Sequence, residues 1–310
     1  MPSDAPDIAE TLGRLWPEMR RAQGLAWLGV VALTGLGLQA IPGLLRNLGG
    51  DKSGSGEVQT WVFMGAVVGI ILVYGAIRRH HERMVMPELA RTLGLSYRDS
   101  DKGLVDALPS RLLPKASRRT AEDVLRGRIG DRDVTFAEVK VETGGKNSTV
   151  YFDGIVMEFR NVAPLPAFFV APQKETELGW FGTRGRIAVD DLVRLEQVLD
   201  GSEAFGVWAS SQDVARHPAF RAVLMRLTSV HSAGDIGARL YSAMSDGTRT
   251  WVAIRQKRDL FRIGGLFATR DAVLADIRHA YDDMQQPYRI VTALLQAEQE
   301  AAAAGGQAGA

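Results

Sequence analysis

The sequence contains no cysteine. Disulfide cross-links, zinc–thiolate sites, iron–sulfur clusters and cysteine nucleophiles are therefore excluded. Net charge is nearly absent too, since 37 Lys and Arg against 36 Asp and Glu leave +1. A protein built mainly to hold nucleic acid needs a strongly basic face, so that class is set aside. Histidine is scarce, five in 310 residues. His80 and His81 are adjacent and so point to different helix faces, while His217, His231 and His279 are scattered. No H-x-x-x-H or H-E-x-x-H spacing occurs, so neither a metal site nor a cofactor is expected. A G-x-S-x-G elbow, a Walker loop and a strand-borne G-x-G-x-x-G are also missing. The remaining composition, 46% hydrophobic and 24% charged, is that of an ordered chain.

Two long runs do without charge. The clearer one is Val58 to Ile77, which holds no Asp, Glu, Lys or Arg, with Trp61 near one end and Tyr74 near the other. As a helix it is about 30 Å long, the thickness of a bilayer hydrocarbon core. Gly24 to Leu45 is the other, weakened by Gly29, Gly35, Gly37, Gln39 and Pro42. A cleaved signal peptide fits it poorly, because the polar lead before it carries four acidic residues. The connection rich in Gly and Ser between them forces an antiparallel helical hairpin. Arg14, Arg20, Arg21, Arg78, Arg79, Arg83 and Arg91 flank the two runs on the side of the termini, against Arg46 and Lys52 in the loop. The positive-inside rule then puts both termini in the cytoplasm. The expected organisation is a cytoplasmic segment 1–23, transmembrane helices 24–45 and 58–77, an external loop 46–57, a cytoplasmic domain 78–299 and a disordered tail 300–310. Gly65 and Gly69 form a G-x-x-x-G pair suited to close helix packing, in the first place against the other run. Arg78, Arg79 and Arg83 form a basic cluster at the membrane interface, chiefly a topology signal.

Beyond Met84 a helical period continues through Val85, Leu89 and Leu93, with Pro87 at a kink or a new first turn and Gly94 as a terminator. The period then becomes two. Residues 123–129 and 132–143 read as strands joined at Gly130-Asp131. In the second, apolar parity changes between Phe136 and Val139, which suggests a bulge near Ala137-Glu138. GGKN at 144–147 is a turn. STVYFDGIVMEFR reads as a central strand, with apolar residues on both faces. LPAFFVAP and FGVWAS add short strands, and ARLYSAMSDGTRTWVAIRQK is a hairpin turning at Ser245-Asp246-Gly247. Ser211 is a cap candidate, His217 a surface or capping residue, and Pro218 a first-turn residue. From Asp271 the pattern is helical, interrupted at Pro287 and resumed at Ile290. The fold class is therefore α+β, a hairpin of transmembrane helices followed by a mainly antiparallel sheet with flanking helices.

Glu138, Glu142, Asp153 and Glu158 lie on neighbouring strands. Paired carboxylates can do acid–base work, but salt-bridged strand residues are the ordinary explanation.

EDVLRGRIGDRDVTFAEVKVE, YFDGIVMEF, FGVWASSQDVARH and MSDGTRTWVAI together resemble a family of bacterial membrane proteins of unknown function. The pattern positions are Gly127; Phe136 and Glu138; Phe152 and Gly154; and Ser211, Asp213, Ala215 and Arg216. The resemblance covers about residues 60–290 and implies two membrane helices followed by one cytoplasmic domain. It implies no catalytic residue. Pro164 and Pro166 depart from the pattern, and Thr176 to Gly201 falls outside it.

The expected function is a membrane-anchored cytoplasmic binding or scaffold module. Its partners would be the lipid bilayer and a protein docked on the cytoplasmic domain; self-association is compatible with the sequence. An inner-leaflet enzyme is the alternative. A pore of oligomerised hairpins is disfavoured, because neither run carries an ionisable residue to line a polar path.

Overall fold

The computed structural model describes residues 8–48, 54–145, 148–172, 191–195, 205–232, 239–256 and 261–307. The chain divides into two compact units, Met1–Thr92 with Leu260–Asp282, and Leu93–Asp259 with Asp283–Ala310.

The first unit is built on two long helices, α1 (Ile8–Leu48) and α2 (Gly54–Thr92). They pack antiparallel along a stripe of small residues. Space for a Cβ on Gly29 is bounded by Val73, on Gly37 by Ala66 and Phe63, on Gly43 by Gln59, and on Gly69 by Leu33. Missing side chains at these points let the two backbones approach. Both helices outrun the apolar sequences that nucleate them. Residues 49–53 lie outside the described residues, and the described parts of the expected external loop, 46–48 and 54–57, are helical. Pro87 lies inside α2, and Pro17 and Pro42 lie inside α1, without ending either helix. The boundary drawn at residue 78 also moves, because 78–92 and 260–282 group with the hairpin rather than with the sheet.

The second unit is an antiparallel nine-stranded sheet. Its strands are β1 (Leu95–Ser100), β2 (Arg118–Ile129), β3 (Arg132–Glu142), β4 (Val150–Arg160), β5 (Phe168–Pro172), β6 (Val193–Arg194), β7 (Phe205–Ala209), β8 (Arg239–Ser245) and β9 (Arg249–Arg255). Their order is β1-β2-β3-β4-β9-β8-β5-β7-β6. A short helix α3 (Lys102–Ala107) follows β1, capped by Asp101, whose carboxylate accepts from the Leu104 N–H. Helix α4 (Pro218–Ser232) begins on proline, as expected. Its cap is His217, whose Nδ1 accepts from the Phe220 N–H at 3.4 Å. Ser211 precedes a single 3-10 turn at 212–216 and makes no side-chain cap bond. Helix α5 (Arg270–Gln307) runs through Pro287 unbroken and carries on past residue 299, so the expected interruption and the tail from 300 to 307 are corrected to helix.

β4 is central, as its pattern required, with buried residues on both faces between β3 and β9. One face gathers Ala137, Val139, Val141, Phe152, Val156, Phe169 and Ala253 under Leu104, Val105, Leu108, Leu112 and Leu113. The opposite face carries Val134, Phe136, Ile155, Met157, Phe159 and Phe168, all buried. There Phe220 of α4 meets Phe168, ring centres 5.3 Å apart. This two-sided cover explains the parity change in β3. Its register against β4 is continuous from Val134 to Val141, so no bulge lies at Ala137-Glu138. The strand buries one face near its start and the other near its end. The bulge sits instead on β2, where the register against β3 jumps from Glu122 to Leu125. Asp123 there takes φ +50, a conformation Asp tolerates better than most residues, and its carboxylate accepts from the Tyr97 hydroxyl at 2.5 Å.

Candidate functional site

Two places stand out, one in each unit. In the helical unit it is the outer flank of the hairpin. Both helices are long and apolar enough to cross a membrane, and in the most apolar window of each only 17% and 11% of the residues are buried. Leu25, Leu28, Val31, Leu36, Leu38, Val62, Val67, Val68, Ile71 and Leu72 are all exposed, as is Trp61 at 76%. The core helix of a water-soluble protein would hide such side chains; a contiguous apolar surface of this extent marks an interaction site. At the end where the charges begin, Arg78 is held by Glu82 at 2.7 Å, Arg79 is exposed, and Arg83 is exposed but engaged by a partner. At the far end of α2, Glu88 accepts from both Arg14 (2.8 Å) and Arg91. The G-x-x-x-G pair divides: Gly69 lies on the seam against Leu33, whereas Gly65 meets no heavy atom within 4 Å and the buried small residue beside it is Ala66.

In the sheet unit it is a groove of about 510 Å³ lined by Asp133, Thr135, Glu158, Arg160, Thr248 and Arg249. Three strand ends build it. The start of β3 supplies Asp133 and Thr135, the end of β4 supplies Glu158 and Arg160, and the β8–β9 turn supplies Thr248 and Arg249. Arg160 and Arg249 are register partners, and like charges directly opposite one another repel. Arg249 is partly neutralised by Glu158 at 2.6 Å. Arg160 is exposed and has no ion-pair partner among the described residues.

Behind the groove lies a buried polar hub. Asn161 Nδ2 donates to Ser245 Oγ (3.2 Å) and to the Gly247 carbonyl (3.1 Å), and Asn161 Oδ1 accepts from the Thr250 hydroxyl (2.8 Å). Asp246 fixes the turn. Burial alone would raise its carboxyl, but N–H bonds from Arg249 and Thr248 hold it below the usual range. Next along the chain, the Val162 N–H donates to Glu298 Oε2 at 2.7 Å. Glu298 is almost wholly buried, and burial pushes its carboxyl up to about 7 against the opposing Val162 bond and the Arg132 charge. Nothing in the sequence pattern singles out Asn161, Glu298 or Arg160.

The four carboxylates noted in the sequence do not converge. Glu138, Glu142 and Asp153 share one face of β3 and β4, while Glu158 lies on the other. Glu142 is held ionised, mainly by the hydrogen bond from Lys140 at 2.9 Å, with Arg118 nearby. Glu138 and Asp153 are half-buried and have partners of their own. The positions carrying the family resemblance scatter as well. Phe136 and Phe152 are fully buried on opposite faces. Gly127 and Gly154 are places of close backbone approach: a Cβ on Gly127 would meet the Gly94 carbonyl at 2.7 Å, and one on Gly154 would collide with the Ile254 carbonyl. Asp213 and Arg216 form an exposed pair at 3.8 Å, next to Ser211 and half-buried Ala215. These are packing and turn positions spread over the unit. Part of the stretch from Thr176 to Gly201 lies outside the described residues, as do Lys146 and Asn147 of the 144–147 turn.

No family model matches the chain, and no curated protein matches it. One solved structure that matches is the crystal structure of the mycobacterial trehalose monomycolate transport factor A, TtfA. Identity is 17%, the match covers 67% of this chain and 96% of that one, and the TM-score is 0.36. At that score the likeness says nothing about what this chain does.

Proposed function

We propose that this chain is a membrane-anchored binding module of bacterial type. The helical hairpin is the anchor, crossing the inner membrane twice with both termini in the cytoplasm, and the α+β unit presents a docking groove to a protein partner. The observation that carries the reading is the exposed apolar flank of α1 and α2, which lipid would solvate and water would not. Orientation rests on the arginines at the two ends that share a side. The resemblance to bacterial membrane proteins of unknown function agrees with this layout.

The groove suits an acidic segment of a partner. Arg160 offers a free guanidinium fork beside the hydroxyls of Thr135 and Thr248, and a carboxylate placed there would relieve its repulsion with Arg249. Titration of the reconstituted full chain with acidic, neutral and basic peptides tests this. Acidic peptides should bind best, more weakly as salt rises, and Arg160→Glu should abolish the preference. Equal binding of all three classes would remove the groove from the proposal. Release of the chain from membranes by alkaline carbonate would remove the anchor.

A further inference from the structure

We propose that the loop 261–269, far along the chain from the hairpin, is a third point of contact with the bilayer, inserting Phe267 at the lipid–water interface. The proposal rests on the membrane reading of α1 and α2 and goes beyond it. The loop reads FRIGGLFAT. Phe261, Ile263 and Leu266 are buried, whereas Phe267 is 69% exposed. A loop that hides three apolar residues and displays a fourth has its orientation fixed, and here the fixing contacts are explicit. The buried Gln23 amide donates to the Gly265 carbonyl at 2.8 Å and to the Ala268 carbonyl at 3.1 Å. Asp276 accepts from the Gly264 N–H at 2.9 Å. Gly264 (φ +67) leaves no room for a Cβ because the His81 ring stands there, and the Tyr74 ring closes over Gly265.

These anchors define a level along the hairpin. Gln23 directly precedes the apolar run of α1, and Tyr74 lies four residues before Arg78 at the end of the run of α2. Phe267 therefore sits at the border between apolar and charged surface. It packs edge-on against Trp27, ring centres 5.0 Å apart, itself 40% exposed and flanked by exposed Leu25 and Leu28. The pair continues the apolar flank without a break, at the level where aromatic rings partition into the interface. Lipid is the occupant this continuity indicates.

The absence of cysteine allows a clean test. Single variants Phe267→Cys, Val68→Cys and Arg98→Cys of the full chain, spin-labelled and reconstituted in phosphatidylethanolamine–phosphatidylglycerol vesicles, are compared for collisions with oxygen and with a water-soluble nickel chelate. The expected result is oxygen-dominated collision at 267, intermediate between the mid-helix label at 68 and the aqueous label at 98. Chelate-dominated collision at 267 with an oxygen-dominated label at 68 would overturn the inference and leave the anchor standing. Chelate-dominated collision at both would overturn the anchor and the inference together. Phe267 is exposed, so its replacement removes nothing from the packed interior.

Discussion

Replacing Glu298 with glutamine should change how the stability of the chain depends on pH. The carboxyl is pushed from 4.5 to about 7 in the folded protein, chiefly because burial disfavours its charge. The native state then keeps its proton over a range in which the unfolded chain has lost it. Stability from this group is complete below about pH 4.5, drains away as pH rises from there to 7, and levels off above. With 1.36 kcal/mol per pH unit, the loss between pH 5 and 8 is about 2.5 kcal/mol. Glutamine keeps the acceptor for the Val162 N–H and cannot ionise. Its NH₂ would face the Oε1 position, which has no hydrogen-bond partner among the described residues. That adds a cost of about 1–3 kcal/mol which does not vary with pH. The test is therefore the difference between the two curves. Thermal unfolding of the full chain in detergent, followed by tryptophan fluorescence at several pH values, supplies both. Relative to wild type, the variant should gain about 5–10 °C on going from pH 5 to pH 8, for a unit of this size. Parallel curves would refute the reasoning, because they would mean that Glu298 ionises alike in folded and unfolded states.

Other outcomes follow from the same geometry. Gly154→Ala should cost about 3 kcal/mol or more, since the new methyl meets the backbone of Ile254, Arg255 and Gln256; Gly75→Ala, with no heavy atom within 4 Å, is the control in the same unfolding assay. Gly69→Ile should loosen the helical hairpin by driving a branched side chain into Leu33, whereas Gly65→Ile should leave the intrachain seam intact; resistance of the two variants to mixed-micelle denaturation separates them. Asn161→Leu should destabilise by about 2–4 kcal/mol, because the buried Thr250 hydroxyl loses its acceptor and the Gly247 carbonyl loses the Asn161 amide, and denaturant midpoints measure it.

What could be read from the sequence was whatever depends on local repetition. The uncharged runs fixed the two long helices; the Gly130-Asp131 and Ser245-Asp246-Gly247 turns marked the ends of β2, β3, β8 and β9, and apolar residues on both faces marked β4 as central. The edge strand β1 leaves no mark in the sequence because LSYRDS buries little besides Leu95 and so has no alternation to show. α3 leaves none either, because six residues are too few for a helical period. Proline misled in the other direction. Pro287 removes one hydrogen bond, but α5 buries Val273, Ile277, Met284, Val291 and Leu294 on both sides of it, and that burial outweighs the loss. The polar hub and the groove were illegible for a different reason. Glu298 meets Val162 across 136 positions and Asn161 meets Thr250 across 89, so no window of sequence contains either pair.

The bulge at Asp123 bears on assembly. Long antiparallel strands can slide past one another, and a slip of one residue would turn Phe136 and Val139 to the wrong sides of the sheet. A misfit residue at one fixed place acts as a notch. With Tyr97 latched to it from the neighbouring strand, three strands find their alignment from a single mark, and a shifted pairing has nowhere to seat the extra residue.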